Sequence, residues 1–269
     1  MLEKLKIGDC LLVVSPHLDD AVLSVGGIMD AASKKGVRTI AATIFTADAP
    51  DDVKATPSVQ QLHARWGLGA NPNAVRREED VEAVEFLGVE HLHGDVLDAL
   101  YRTDSDGNAL YSSQMSRFSA PTANDPIFGQ LQSLFEKWLD LLHPKVVLCP
   151  LGVGRHVDHT IATEAFREIA HQKVVDVYLY EDMPYAAGLY PPDAPDTVTA
   201  AISRSPWKVS SPVSVQVDVE RKVKSISAYR SQIAGLFPDG RDVGQEMKRY
   251  MLSEENNGYN ERVWAASAA

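Results

Sequence analysis

The chain is poor in cysteine, with two, Cys10 and Cys149, in 269 residues. So few exclude a disulfide framework as the basis of the fold. Each sits in an apolar run, CLLVV and KVVLC, and reads as a reduced thiol in a buried strand. Basic residues are outnumbered: 26 Lys and Arg face 37 Asp and Glu, for a formal net charge of -11. That balance argues against nonspecific nucleic-acid binding, which depends on cations neutralising phosphates. No stretch approaches the ~20 apolar residues of a membrane helix. The opening MLEKLKIGDC has no long apolar core of a signal peptide, so the cytoplasm is the expected location. Phosphate-binding glycine loops are missing too. Neither G-x-G-x-x-G nor a P-loop occurs, and Gly26-Gly27 lies too far into the first helix to cradle a pyrophosphate.

What is present is ordinary globular material, 45% hydrophobic and 23% charged. An apolar run at 11–14 reads as a strand buried on both faces, and the periodicity of 20–35 as a helix stopped near Gly36. A β-branched strand at 37–45 completes a βαβ unit, which implies a parallel sheet. Helices are expected at 78–87, 128–142 and 159–171, with strands at 145–149, 175–179 and 214–219. The segment 219–233 reads as one last long helix. Segments 46–74, 103–127 and 183–212 read as loops, the first with some helix around 59–66. There is no internal repeat, so a single α/β domain over 1–269 is the economical expectation.

Two motifs carry chemistry. SPHLDD, residues 15–20, falls between the first strand and the first helix, at the strand end where open α/β sheets collect ligands. His17 and Asp20 in such a turn can face one metal ion, leaving Asp19 free to act on bound water. The same carboxylates would also cap the helix. GRHVDHT, residues 154–160, follows the strand at 145–149 and offers His156 and His159, with Asp158 placed to orient one of them. Together the motifs provide His17, Asp20 and His159 from two strand ends. Three protein ligands with an open fourth position suit a catalytic zinc site.

SPHLDDAVLSVGG followed far downstream by GVGRHVDHT resembles the PIG-L/LmbE family of zinc-dependent N-deacetylases. The likeness extends to YLYEDMPY (178–185) and weakly to KSISAYRSQ (224–232). It implies a Rossmann-like three-layer α/β sandwich with a mostly parallel sheet. It also implies hydrolysis of an N-acetyl group from a sugar or glycoconjugate, releasing acetate and a free amine. In that family's terms His17, Asp20 and His159 match the metal ligands and Asp19 the general base. His156 matches the residue that stabilises the tetrahedral intermediate or protonates the amine, and Asp158 its orienting partner. Arg76 matches a substrate-binding arginine, and Asp98 and Arg102 are candidates for the same rim. Leu18 and Ala21 depart from the usual proline and glutamate. Zinc is the expected cofactor, with Fe2+ or another divalent metal as the alternative. The rival readings are a zinc amidase of the same fold acting on a non-sugar amide, and a metal-free nucleotide-binding module. The expected partner is a small N-acetylated molecule, and a homo-oligomer is compatible with the sequence.

Overall fold

Strand β1 (Cys10–Ser15) is buried along its whole length. Its alternate residues enter different cores. Leu11 and Val13 join one cluster, Cys10, Leu12 and Val14 the other. Strand period two thus places a helical layer on each face. This computed structural model describes all residues except 51–56, 69–70, 124, 174, 192–194, 255–256 and 269.

Helix α1 (Asp20–Lys34) leads to β2 (Arg38–Thr43). Then come α2 (Pro57–Trp66), α3 (Pro72–Phe86) and β3 (Glu90–His93). A short α4 (Gln114–Arg117) and the long α5 (Ile127–Leu142) precede β4 (Val146–Pro150), α6 (Val157–Ala170) and β5 (Asp176–Tyr180). The rest is α7 (Val198–Arg204), β6 (Trp207–Gln216), α8 (Val219–Ile226), α9 (Arg230–Leu236), α10 (Val243–Met251), β7 (Leu252–Ser253) and β8 (Gly258–Ala268). The sheet order is β3-β2-β1-β4-β5-β8-β6. The strands from β3 to β5 pair in parallel, and β8 and β6 close one side antiparallel.

The expected mostly parallel α/β sandwich is present, with three local corrections. The single helix expected over 219–233 is two, α8 and α9. The chain turns between them so that Tyr229 points inward and donates its hydroxyl to Asp80, 2.7 Å away. The expected loop 183–212 holds α7 and the first part of β6. Proline there was a poor guide, because Pro212 sits on an edge strand at a break in the β6–β8 register, where a missing N–H is tolerated. Helix α6 starts at Val157, so His156 is its N-cap.

Helix α1 is interrupted at Val25 (φ -131°, ψ 24°). The groups freed by the break are satisfied from the far end of the chain. Glu261 on β8 accepts from the N–H groups of Gly27 and Ile28 at 3.0 and 2.7 Å. Lys222 on α8 donates to the Ser24 carbonyl at 3.1 Å and pairs with Glu261 at 2.6 Å, both side chains buried. Gly27 is needed there, since a Cβ would lie 2.6 Å from Val217.

Candidate active site

Strands β1 and β4 are neighbours at the point where the strand order reverses. The crevice at their carboxyl ends is where this architecture binds ligands. The turn after β1 brings His17, Asp19 and Asp20, and the turn after β4 brings His156, Asp158 and His159. His17, Asp19, Asp20, His156, Arg76 and Asp98 all line one cavity of about 100 Å³.

Asp20 is the hub. Its Oδ2 lies 3.1 Å from His17 Nδ1 and 3.1 Å from His159 Nε2, and accepts from the His17 backbone N–H at 2.8 Å. Burial alone would raise its carboxyl, but the two imidazoles outweigh it and hold Asp20 well below the usual range. Burial would likewise push both imidazoles down. Hydrogen bonds to Asp158 and Asp20 instead hold His17 well up, and Asp20 and Asp182 lift His159 to about 9.

Asp19 is buried beside them with φ 144°, a conformation L-residues rarely adopt. Such strain persists where surrounding structure enforces it, and it gathers at functional sites. Asp19 makes no cap hydrogen bond to α1, unlike an ordinary N-cap aspartate. Its carboxyl is pushed up, first by burial and then by the charge of Asp20, against a partial pull from Arg76. Arg76 Nη2 stands 3.8 Å from Asp19 Oδ2, and its guanidinium stacks 4.9 Å over the Trp66 ring. Arg76 thus faces the site from one wall, and Trp66 shares that wall.

His156 Nδ1 accepts the Asp158 backbone N–H at 3.3 Å. That bond leaves the ring hydrogen on Nε2. Burial, reinforced by His17, pushes this imidazole well below its ordinary range, so it is neutral. The expectation that the Asp158 carboxylate orients His156 is corrected. Oδ2 of Asp158 instead meets His17 Nε2 at 3.0 Å and the Ala99 N–H at 3.0 Å, while Oδ1 pairs with Arg102 at 2.6 Å. Arg102 is corrected as well. It is buried between Asp158 and Asp125 (2.9 Å) and does not line the cavity. Asp98 does line it, with Oδ2 3.5 Å from His17 Nε2 and Oδ1 capping the 99–101 turn through the Leu100 N–H at 2.7 Å.

Sequence reasoning missed Asp182. Its Oδ1 lies 2.6 Å from His159 Nδ1, and its Oδ2 accepts from the Gly152 and Val153 N–H groups at 2.9 Å each. One carboxylate therefore orients the imidazole and shapes the turn that carries it. The available signal was its place just beyond a buried strand adjacent to β4. Phe118 and Tyr185, which also line the cavity, were missed because one comes from the long 103–127 excursion and the other follows β5.

The donors suit a divalent cation: imidazole and carboxylate atoms converge, and the buried His159 Nε2 meets Asp20 Oδ2 at 3.1 Å without the alignment of a hydrogen bond. Ligating atoms of His17, His156 and His159 lie within 4.8 Å of one another, as do those of His17, Asp98 and Asp158.

Such a cluster at a sheet switch point fits a metal-assisted hydrolase. Residues 12–170 match the PIG-L family, GlcNAc-PI de-N-acetylase, and the chain belongs to that family. It is 29% identical over 231 residues to 2'-N-acetylparomamine deacetylase of Streptomyces fradiae, covering 86% of this chain and 75% of the relative. The crystal structure of the zinc-inhibited form of teicoplanin deacetylase Orf2 superposes with a TM-score of 0.82 at 28% identity, covering 96% of this chain and 97% of that one. The pseudoaglycone deacetylase Dbv21 of the antimicrobial reagent A40926 superposes with a TM-score of 0.75 at 28% identity, covering 95% and 96%. Family and relatives make this chain a hydrolase of the N-deacetylase class and set aside the metal-free nucleotide-binding reading.

Proposed function

We propose that this enzyme removes the acetyl group from the nitrogen of an N-acetylated sugar or glycoconjugate, using one zinc ion held by His17, Asp20 and His159. The observation that carries this is the Asp20 carboxylate meeting both imidazoles at 3.1 Å, with Asp19 in the same cavity. His156 is left out of the ligand set because its Nε2 carries the hydrogen and so offers a donor rather than a lone pair.

When bound, the ion would lower the pKa of its water and polarise the acetamide carbonyl. Asp19 takes the proton of the attacking water and passes it to the departing amine nitrogen. Its raised pKa suits a group that both accepts and returns a proton near neutrality. His156 donates Nε2–H to the carbonyl oxygen as charge develops there. Arg76 stands beside Asp19 and over the Trp66 ring, and Asp98 lines the same cavity, so Arg76 and Asp98 are read as contacts for sugar hydroxyls. The chain is read as one domain over 1–269. A cytoplasmic location fits two buried, unpaired thiols, and no described helix is long and apolar enough to cross a membrane.

The test is acetate release from N-acetylated sugars and from N-acyl non-sugar amides. Turnover confined to the sugars supports the reading, and turnover confined to the others favours an amidase. Asp19→Asn is expected to lower kcat about 10²–10⁴-fold with metal content unchanged. Full turnover by that variant removes Asp19 as the base.

A further inference from the structure

Tyr185 follows β5 at the end of the YLYEDMPY segment and none of the roles above uses it. It is 6% exposed and lines the cavity that holds Asp19, Asp20 and His156. Its ring stands edge-on to His159, centroids 5.4 Å apart, and Phe118 packs against it at 5.9 Å. The ring is seated by a missing side chain, because a Cβ on Gly154 would lie 2.5 Å from it. Gly154 also has φ 88°, so both space and backbone reserve that position for glycine. A packed tyrosine normally finds a partner for its hydroxyl. Among the described residues this one has none, whereas the more deeply buried Tyr180 and Tyr229 donate to Val14 and Asp80. A fixed ring that lines the reaction cavity, with a hydroxyl that no described residue takes up, suits a preset hydrogen-bond donor.

We propose that Tyr185 is a further catalytic residue, donating its hydroxyl hydrogen to the acetamide carbonyl oxygen as that oxygen gains charge. It acts with His156, whose ring also packs edge-on against Phe118, centroids 5.0 Å apart. No proton is transferred; the hydrogen bond strengthens as the carbonyl becomes an oxyanion. This rests on the deacetylase reading above.

The test is Tyr185→Phe, which keeps the ring on Gly154 and removes only the hydroxyl. With 4-nitrophenyl N-acetyl-β-glucosaminide, kcat is expected to fall roughly 10²–10³-fold, the loss typical of one oxyanion donor. KM and bound zinc should stay within about twofold, since the interaction belongs to the transition state. A methylphosphonyl amide of the same glycoside mimics the charged oxygen. Its inhibition constant should rise by the same factor that kcat/KM falls, while that of the product amine stays put. Unchanged kcat, or a fall in bound zinc that accounts for the whole loss, overturns the role of Tyr185. No acetate release by the wild-type enzyme on this or any other N-acetylated amide overturns the deacetylase reading, and the Tyr185 role with it.

Discussion

At the scale of single residues, the site is a set of hydrogen bonds that fix which nitrogen of each histidine faces the crevice. His159 gives Nδ1 to Asp182 and turns Nε2 inward. Partners of this kind typically change metal affinity 10- to 100-fold when removed. Asp182→Asn is therefore expected to weaken zinc binding about 10- to 100-fold with the fold intact. Competition against a chromophoric chelator measures this, and an unchanged dissociation constant would show that Asp182 serves only the turn at 152–153. The ligand candidates were legible because SPHLDD and GRHVDHT each pack several such residues into a few positions at a strand end. Asp182 was not, since a lone acidic residue in YLYEDMPY looks like any other. The true partners of Asp158 and Arg102 were hidden for a similar reason. Their meeting depends on how the 95–102 segment folds against the first turn of α6, which no local pattern encodes.

At the scale of elements, α1 depends on the chain's last strand. Its first turn carries Asp20, and its break at Val25 is closed by Lys222 and Glu261. Removing one member of a buried pair strands the other charge, at a cost of about 3–5 kcal/mol. Glu261→Gln is expected to lower unfolding free energy by roughly that amount, read by denaturant titration. Replacing Lys222 and Glu261 together by methionine should cost less than the sum of the single changes, because no lone charge remains. Strict additivity would mean the pair does not act as a unit. The strands β1, β2, β4 and β5 and the long helices were legible from continuous apolar runs and helical periodicity, whereas the half-exposed EHLH of β3 carries no such run. The strand β8 was not, because ERVWAASAA is rich in small residues, and its place beside β5 is a tertiary fact.

At the scale of the whole molecule, the charged groups of the site are balanced among themselves. His17 and His159 are held protonated by their carboxylate neighbours in the metal-free protein. A bound cation needs those imidazoles neutral, so binding must release protons. A raised pKa means the proton is held until the pH climbs past it. Zinc affinity should therefore increase with pH until the pH passes about 9. Calorimetry in buffers of different ionisation enthalpy should show proton release at pH 7. Absence of release would place the bound metal away from these two histidines.

The central claim is a single metal held by His17, Asp20 and His159. The most direct measurement is metal per chain in protein purified without chelator or added metal, comparing wild type, His159→Ala and His156→Ala. The account predicts about one equivalent in wild type and in His156→Ala, and a sharp loss in His159→Ala. A wild-type protein that holds no metal and takes up none when zinc is supplied would contradict it.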